Sequence, residues 1–290
     1  MARKKPSTAH GLVLIDKPAG LTSHDVVYKL RGHFGEKRIG HAGTLDPDAT
    51  GLLVVGVGNA TRLFRFMADM DKTYSCEIVF GVETDSLDDS GAITATHEMT
   101  PPNLEDVRRI IADQFLGEIM QVPPMVSALR VDGVRLHKLA REGIEVERPA
   151  RPITVHSFEV EATDDPMVIR ATIRSGAGTY IRSLGADLGT ALGGGAHIRT
   201  LRRFSVGPFS VDEASTIAEP TLLPIREAVR HLAVQVLDDS EVTDCRFGRT
   251  RIAWDGDGPW AAVDGTGELI GVFEVWRERI AKPTVVFQAR

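Results

Sequence analysis

Cysteine is almost absent: Cys76 and Cys245 are the only two in 290 residues. Two thiols so far apart match neither a disulfide framework nor a zinc site. The scattered histidines (His97, His137, His156, His197) show no metal-ligand spacing. No apolar stretch approaches the length of a membrane span. The run Gly11 to Ile15, behind a basic N-terminus, is too short for a signal-peptide core. Ser175-Gly176-Ala177-Gly178 turns a strand into a helix, but it lacks the spacing of either phosphate-loop motif. Internal repeats and low-complexity segments are missing too. The absences describe a soluble, cytoplasmic protein that uses no metal or other cofactor. The apolar share, 42%, supports a real core.

A positive net charge is also lacking. The value of −6 argues mildly against a polyanionic partner, but its distribution changes that. Residues 1–80 hold 11 Lys/Arg against 8 Asp/Glu, and residues 128–203 hold 12 against 9. The acidic excess is confined to residues 81–120 (2 against 9) and 204–245 (2 against 8). Two positive stretches are left that could form one face, and local charge steers a polyanion more than net charge does.

What is present is strong local patterning. Gly11 to Ile15 and Leu52 to Val55 read as strands, and Thr73 to Phe80 alternates like one. Thr22 or Ser23 can cap a helix through about Gly32, and Asn103 one that runs to Phe115. Further helices are expected over Ala60 to Met67, Gly133 to Arg141 and Thr179 to Leu192, and Leu201 to Phe204 reads as a strand edge. Gln121 to Pro152 has prolines at both ends and carries Arg130, Arg135, Lys138, Arg141, Arg148 and Arg151. It reads as an excursion that can move against a ligand. From Val234 onward, short alternating runs separated by Gly/Asp turns suggest a small β-rich domain. Strands with interspersed helices point to an α+β core on a mixed, largely antiparallel sheet.

One stretch organises the chain: Gly40-His41-Ala42-Gly43-Thr44-Leu45-Asp46-Pro47-Asp48-Ala49-Thr50-Gly51-Leu52-Leu53. It sets a carboxylate, Asp46, between glycine-bearing turns, directly before a proline that biases it towards an extended conformation. Taken alone it reads more readily as an Asp-Pro turn than as a functional loop. Tyr74 and Arg182 are the other candidate site residues. An arginine near Asp46 would lower its pKa and keep it ionised, and an ionised Asp can act as a nucleophile. A structural Asp–Arg pair and a core tyrosine are the alternative.

Together these residues resemble bacterial tRNA pseudouridine synthases of the TruB type. The resemblance covers most of residues 10–210. It rests on Asp16-Lys17-Pro18-Ala19-Gly20-Leu21-Thr22-Ser23, on Gly40-His41 with Leu45-Asp46-Pro47, and on Lys72-Thr73-Tyr74. Thr84-Asp85 with Asp88 and Gly91, Pro123-Pro124 with Ser127-Ala128-Leu129, Leu139-Ala140-Arg141, and Gly178-Thr179-Tyr180-Ile181-Arg182 complete it. It implies a pseudouridine synthase catalytic domain over 1–233, with 121–152 as an RNA-gripping thumb, and a PUA-like domain over 234–290. It implies isomerisation of uridine 55 in the tRNA T-loop, by a monomer without guide RNA, obligate partner or membrane. Asp46 matches the catalytic aspartate, Tyr74 the tyrosine stacked on the target base, and Arg182 the arginine paired with the aspartate. His41, Tyr180, Lys17, Leu201, Asp85 and Arg141 match substrate-binding or pocket-supporting positions.

The chain departs from that pattern at Asp48, Val126, His137 and Ala177. Strand-like alternation turns Asp48 away from Asp46, which places it outside the site. Two rival functions remain at this stage. One is an RNA-folding factor, which would not require Asp46, Tyr74 and Arg182 together. The other is a guide-RNA-dependent synthase of the dyskerin type, which predicts partner-protein surfaces and a basic tail.

Overall fold

The computed structural model describes residues 9–287 except 128, 132, 133, 137, 138, 140 and 141, and only the backbone at 130, 131, 134 and 135. Strands β1 (Gly11–Lys17), β2 (Ile39–His41), β3 (Thr50–Val57) and β4 (Lys72–Phe80) precede a hairpin of β5 (Val82–Thr84) and β6 (Ile93–Thr96). After the helix Leu104–Gln114 come β7 (Gly117–Gln121) and a second hairpin, β8 (Arg130–Val131) and β9 (Val134–Arg135). Then follow β10 (Arg151–Ala162), β11 (Val168–Ser175), the helix Ile181–Ala191, β12 (Ala196–Val206) and β13 (Phe209–Ser210). The fold is α+β. Its main sheet has nine strands, in the order β1-β3-β12-β4-β11-β10-β7, with β2 on β3 and β13 on β12. All of its pairings are antiparallel except β3 with β12.

The continuous apolar runs in β1 and β3 follow from burial on both faces of the sheet. Val13, Ile15, Leu53 and Val55 join one core with Val26, Val27 and Leu30, Val107 and Ile111, and Leu184 and Leu188, which come from the three helices on that side. Leu12, Leu14, Leu52 and Val54 point the other way, into a core completed by a second sheet. That sheet comprises β14 (Ala233–Val236), β15 (Arg251–Ile252), β16 (Trp260–Val263), β17 (Leu269–Arg277) and β18 (Ile280–Val286), in the order β14-β16-β17-β18-β15. Ala261, Val263, Leu269, Val272, Val285 and Phe287 carry it onto the back of the main sheet. Arg65 pairs with Glu274 at 2.8 Å across the join.

Local signals set the helix ends. Thr22 accepts the Asp25 N–H in a full capping box, and the helix Ser23–Phe34 ends on Gly35 in the left-handed region. Asn103 caps the helix Leu104–Gln114. Three sequence readings change. Leu201 to Phe204 is no edge: it lies within β12, between β3 and β4. The segment over Ala60 to Met67 is a 3₁₀ helix, Gly58–Phe66. Of the helix expected over Gly133 to Arg141, Val134–Arg135 is extended and pairs with β8, Leu136 and Leu139 are helical as expected, and the remainder falls outside the described residues. No helix among the described residues is long and apolar enough to cross a membrane.

Candidate active site

The loop between β2 and β3 is held almost atom by atom around Asp46. The buried Ser23 hydroxyl donates to the Leu45 carbonyl at 3.0 Å and accepts the Leu45 N–H at 2.8 Å. On the other side of Asp46, the Pro47 carbonyl accepts from Lys17 Nζ at 2.9 Å and from the Gly20 N–H at 3.0 Å. Arg203, 1% exposed, donates to the carbonyls of Gly43, Thr44 and Leu52. Gly51 has φ +98°, and a Cβ there would sit 2.2 Å from the Arg203 carbonyl. Only glycine lets β3 pass β12 this closely.

Arg182 projects from the first turn of the helix Ile181–Ala191. Its side chain is 4% exposed, and its Nε lies 3.0 Å from Asp46 Oδ2 and 3.5 Å from Asp88 Oδ2. Nη1 donates to the Ser86 carbonyl at 2.6 Å and Nη2 to the Val126 carbonyl at 2.8 Å. Every guanidinium nitrogen therefore has an acceptor, as a buried charge requires. Asp46 keeps 40% of its side chain open. Its pKa is nonetheless raised, chiefly by burial, and the Asp88 carboxylate adds to the shift while Arg182 opposes it. This corrects the expectation of a lowered value: removing water from around the carboxylate outweighs the attraction of one arginine.

Two lobes of one cleft meet at Asp46, Arg182 and Leu201. The inner lobe, about 310 Å³, has Tyr74, Tyr180, Lys72 and Arg203 in its walls, together with the turn Gly176–Gly178. Tyr74 is 8% exposed and lies mid-sheet, registered against Ile173 and Arg203. The outer lobe, about 340 Å³, takes in Asp48, Asp88 and Thr200. Leu201 follows Thr200, which has φ 56° where the register of β12 slips between Arg199 and Arg202. This is an uncommon conformation for a β-branched residue.

The structure thus brings Asp46, Tyr74, Arg182, Tyr180 and Leu201 together. Lys17 lies behind them: it is fully buried, bonds only to backbone carbonyls, and is pushed down to about 8 by burial. His41 is absent from the walls of both lobes, and burial followed by Arg203 lowers its pKa. Asp85 is not brought to the cleft. It is exposed, its Oδ1 accepts the Ala92 N–H, and it borders a separate cavity beside Asp187. Arg141 lies outside the described residues. Asp48 is also corrected, since it lines the outer lobe with Asp46. The Ala49 N–H bonds back to the Asp46 carbonyl at 3.2 Å, so these residues form a turn and strand alternation does not apply.

Three residues were missed by sequence reasoning. Asp88 supplies the second carboxylate on Arg182; the resemblance counted it among the motif residues with Thr84, Asp85 and Gly91, but gave it no role in the site. Gln121 clamps Tyr180 at both main-chain atoms, accepting its N–H at 2.9 Å and donating to its carbonyl at 3.0 Å. Arg203 carries the Asp46 loop, and only its adjacency to Leu201 in sequence hinted at this. Burial pushes the Lys72 ammonium, in the inner lobe, down to about 8. Among the described residues no cluster of three His, Cys, Asp or Glu could hold a metal ion.

Known proteins resemble this chain over nearly its whole length. Residues 31–181 match the TruB family pseudouridylate synthase N-terminal domain, and residues 182–230 match the tRNA pseudouridylate synthase B C-terminal domain. The tRNA pseudouridine synthase B of Corynebacterium aurimucosum is 42% identical, with 98% of each chain covered. That of an Arthrobacter species is 39% identical, with 96% of each covered. A chain from the structure of an H/ACA RNP bound to a substrate RNA containing 2′-deoxyuridine superposes with a TM-score of 0.72 at 23% identity. It covers 97% of this chain and 86% of that one, a likeness of fold. With more than half its length matched by the family model and relatives near 40% identity end to end, the chain belongs to the TruB family of pseudouridylate synthases.

Proposed function

We propose that this chain converts uridine 55 in the T-loop of tRNA to pseudouridine, as a monomer in the cytoplasm and without guide RNA. The observation that carries the reading is Asp46: a carboxylate fixed on both sides by main-chain bonds, paired with a buried arginine, and open to a cleft with a tyrosine in its wall. The reaction is balanced within the substrate. The N1–C1′ bond breaks, the base turns, and C5–C1′ forms; the C5 proton leaves and N1 gains one. A base inside a folded arm must first be flipped out, at a cost of a few kcal/mol. Contacts to the rest of the arm offset that cost.

Asp46 is the nucleophile in this reading, Arg182 holds it, Tyr74 stacks on the base and removes the C5 proton, and Tyr180 and Leu201 bound the pocket. Residues 1–233 form the catalytic domain and 234–290 a PUA-like domain, and the thumb is 121–152. The thumb assignment is supported by Gln121 pairing with Arg151, so that the excursion leaves and returns at one place, next to the Tyr180 clamp.

Tritium release from 5-tritiated uridine in a T-arm stem-loop tests the proposal. Wild type alone should release tritium, and Asp46→Asn should release none. Absence of release by wild type without added RNA or protein would defeat it, and the guide-dependent reading would then be favoured. Tyr74→Phe should bind the stem-loop normally and fail to turn over; normal turnover would remove Tyr74 as the base.

A further inference from the structure

His197 is a buried histidine that neither the cleft nor the hydrophobic core accounts for. It is 6% exposed and lies near the start of β12. Its neighbours Ala196 and Ile198 pack on Gly189 and Gly185 of the helix Ile181–Ala191. His197 therefore points to the other face of the sheet. There its Nδ1 lies 2.9 Å from the Val82 carbonyl and its Nε2 3.1 Å from Asp89 Oδ1. A carbonyl only accepts, so Nδ1 donates. An ionised carboxylate only accepts as well, so the second bond forms when Nε2 also carries a proton. As an imidazolium, His197 ties two segments together with both of its N–H groups.

One of those segments carries Asp88. On one side β12 pairs with β4, but on the other β3 reaches it only at Arg202 and Arg203. The open edge before that point is taken by the loop that follows β5. The Ile198 N–H donates to the Leu87 carbonyl at 3.1 Å, and the Asp89 N–H donates to the Ile198 carbonyl at 3.0 Å. Asp88 sits between these two bonds. Leu87 has φ 62°, a conformation that leucine rarely adopts, so the surroundings must impose this path. Bonds within the loop shape it: Asp88 Oδ1 accepts from the Ser86 and Ser90 hydroxyls at 2.6 Å, which leaves Oδ2 to Arg182. Those bonds do not attach the loop to the sheet. The Ile198 bonds and His197 do, together with the Arg182 bond to the Ser86 carbonyl.

Asp89 is the carboxylate that answers His197. On the β5–β6 hairpin, Glu83 is paired with His97 at 2.8 Å. Glu77 of β4 is paired with Arg199 of β12 at 2.8 Å and with Arg170 of β11 at 3.6 Å. Asp85 accepts the Ala92 N–H within the loop. Arg182 and Asp187 belong to the helix on the opposite face.

We propose that His197 is a positioning residue for the chemistry at Asp46: by holding Asp89 and the Val82 carbonyl at once, it pins residues 84–91 to β12 and sets where Asp88 meets Arg182. The proposal rests on the catalytic reading of Asp46 and adds a residue to it. Its consequence has a sign. Asp88 helps to raise the Asp46 pKa, so a loop released from His197 should let Asp46 titrate at lower pH. Loss of the imidazolium charge alone would act in the opposite sense, so the direction separates positioning from direct electrostatics.

The test uses the full chain and the T-arm stem-loop. His197→Leu should lower the maximal single-turnover rate of tritium release about tenfold and leave stem-loop affinity at the wild-type value. It should also move the acid limb of the pH profile to lower pH. His197→Gln keeps an amide donor near the place of Nε2, and should restore both rate and limb. In an Asp88→Asn background, His197→Leu should move the limb no further. A limb that stays in place or rises, or that moves as much in that background, would overturn the proposal. So would His197→Gln failing as badly as His197→Leu. If His197→Leu does not fold, His197→Asn, which keeps the donor to Val82 and drops only the Asp89 end, should give the same shift in milder form; no shift would overturn the proposal. NMR titration of the Asp46 carboxyl in the free protein should follow the same pattern without turnover. If wild type releases no tritium, the function assigned to Asp46 fails, while that titration still judges His197.

Discussion

Asp46 is pulled in two directions, and the balance is measurable. Burial and Asp88 raise its pKa, and Arg182 lowers it. As the proposed nucleophile Asp46 must be ionised, so turnover should be full above this pKa and fall as pH drops through it. The acid limb then lies at higher pH than an ordinary aspartate would give. Asp88→Asn removes one raising charge but keeps an oxygen to accept from Ser86 and Ser90. It should move the acid limb to lower pH in single-turnover pH profiles; a limb that stays in place would show that the two carboxylates are not coupled. Lys17 poses a different question at the same scale. Lys17→Met would leave the Pro47, Pro18 and Leu21 carbonyls short of a donor, at about 1–3 kcal/mol each where water cannot replace it. A lower melting temperature with Asp46 chemistry preserved is expected. Because the folded pKa is about 8, below the ordinary 10.5, the unfolded chain binds the proton more readily between those values. The lysine therefore opposes folding less as pH rises from about 8 to about 10.5. The melting-temperature gap between wild type and Lys17→Met should widen across that range, and a constant gap would contradict the buried-ammonium account.

At the scale of elements, the sequence was most legible where a local rule and the tertiary fold agree. Thr22 and Asn103 announced their helices because cap geometry is local. Leu52 to Val55 announced a buried strand because both faces of β3 meet a core. The loop carrying Asp46 was recognisable by its Gly, Asp and Pro pattern, whereas its supports came from elsewhere in the chain. Arg203 and Gln121 act on main-chain atoms 151 to 160 and 59 residues away, respectively, and no spacing rule reaches that far. Asp48 was misplaced because strand alternation was applied across a turn. The crossing of β3 and β12 shows what such contacts require. Gly51→Ala would drive a Cβ into the Arg203 main chain and force φ +98° on an alanine. The strain of the conformation alone is of order 1–3 kcal/mol, and the clash adds to it. The variant should unfold at much lower denaturant than wild type. A near-normal midpoint would mean that β12 can yield, and Arg203 would then be a weaker anchor for the Asp46 loop than its bonds suggest.

For the whole molecule, the decisive feature is that the second sheet closes the core on the back of the first. Composition suggested a separate β-rich unit after Val234, and that unit does have its own small cluster around Trp260 and Phe273. Yet Phe287, Val272 and Val285 share one core with Leu12 and Leu14 of β1 and Leu52 of β3, the strand that leads out of the Asp46 loop. Arg62 closes the seam by bonding to the Val286 carbonyl at 2.7 Å and lying over the Phe287 ring. Two units with a common core should unfold together, whereas units that merely touch unfold separately. Phe287→Ala tests this, since truncating a buried Phe typically costs about 3–5 kcal/mol. Tritium-release activity and the fluorescence of the tryptophans, all of which lie in the second unit, should then be lost at the same, lowered temperature. If fluorescence shifts while the loss of activity stays at its wild-type temperature, the seam transmits no stability and the β-rich unit is only tethered. If both shift together, the back of the main sheet, and through β1 and β3 the loop that carries Asp46, depends for its rigidity on a unit whose described residues line neither lobe of the cleft.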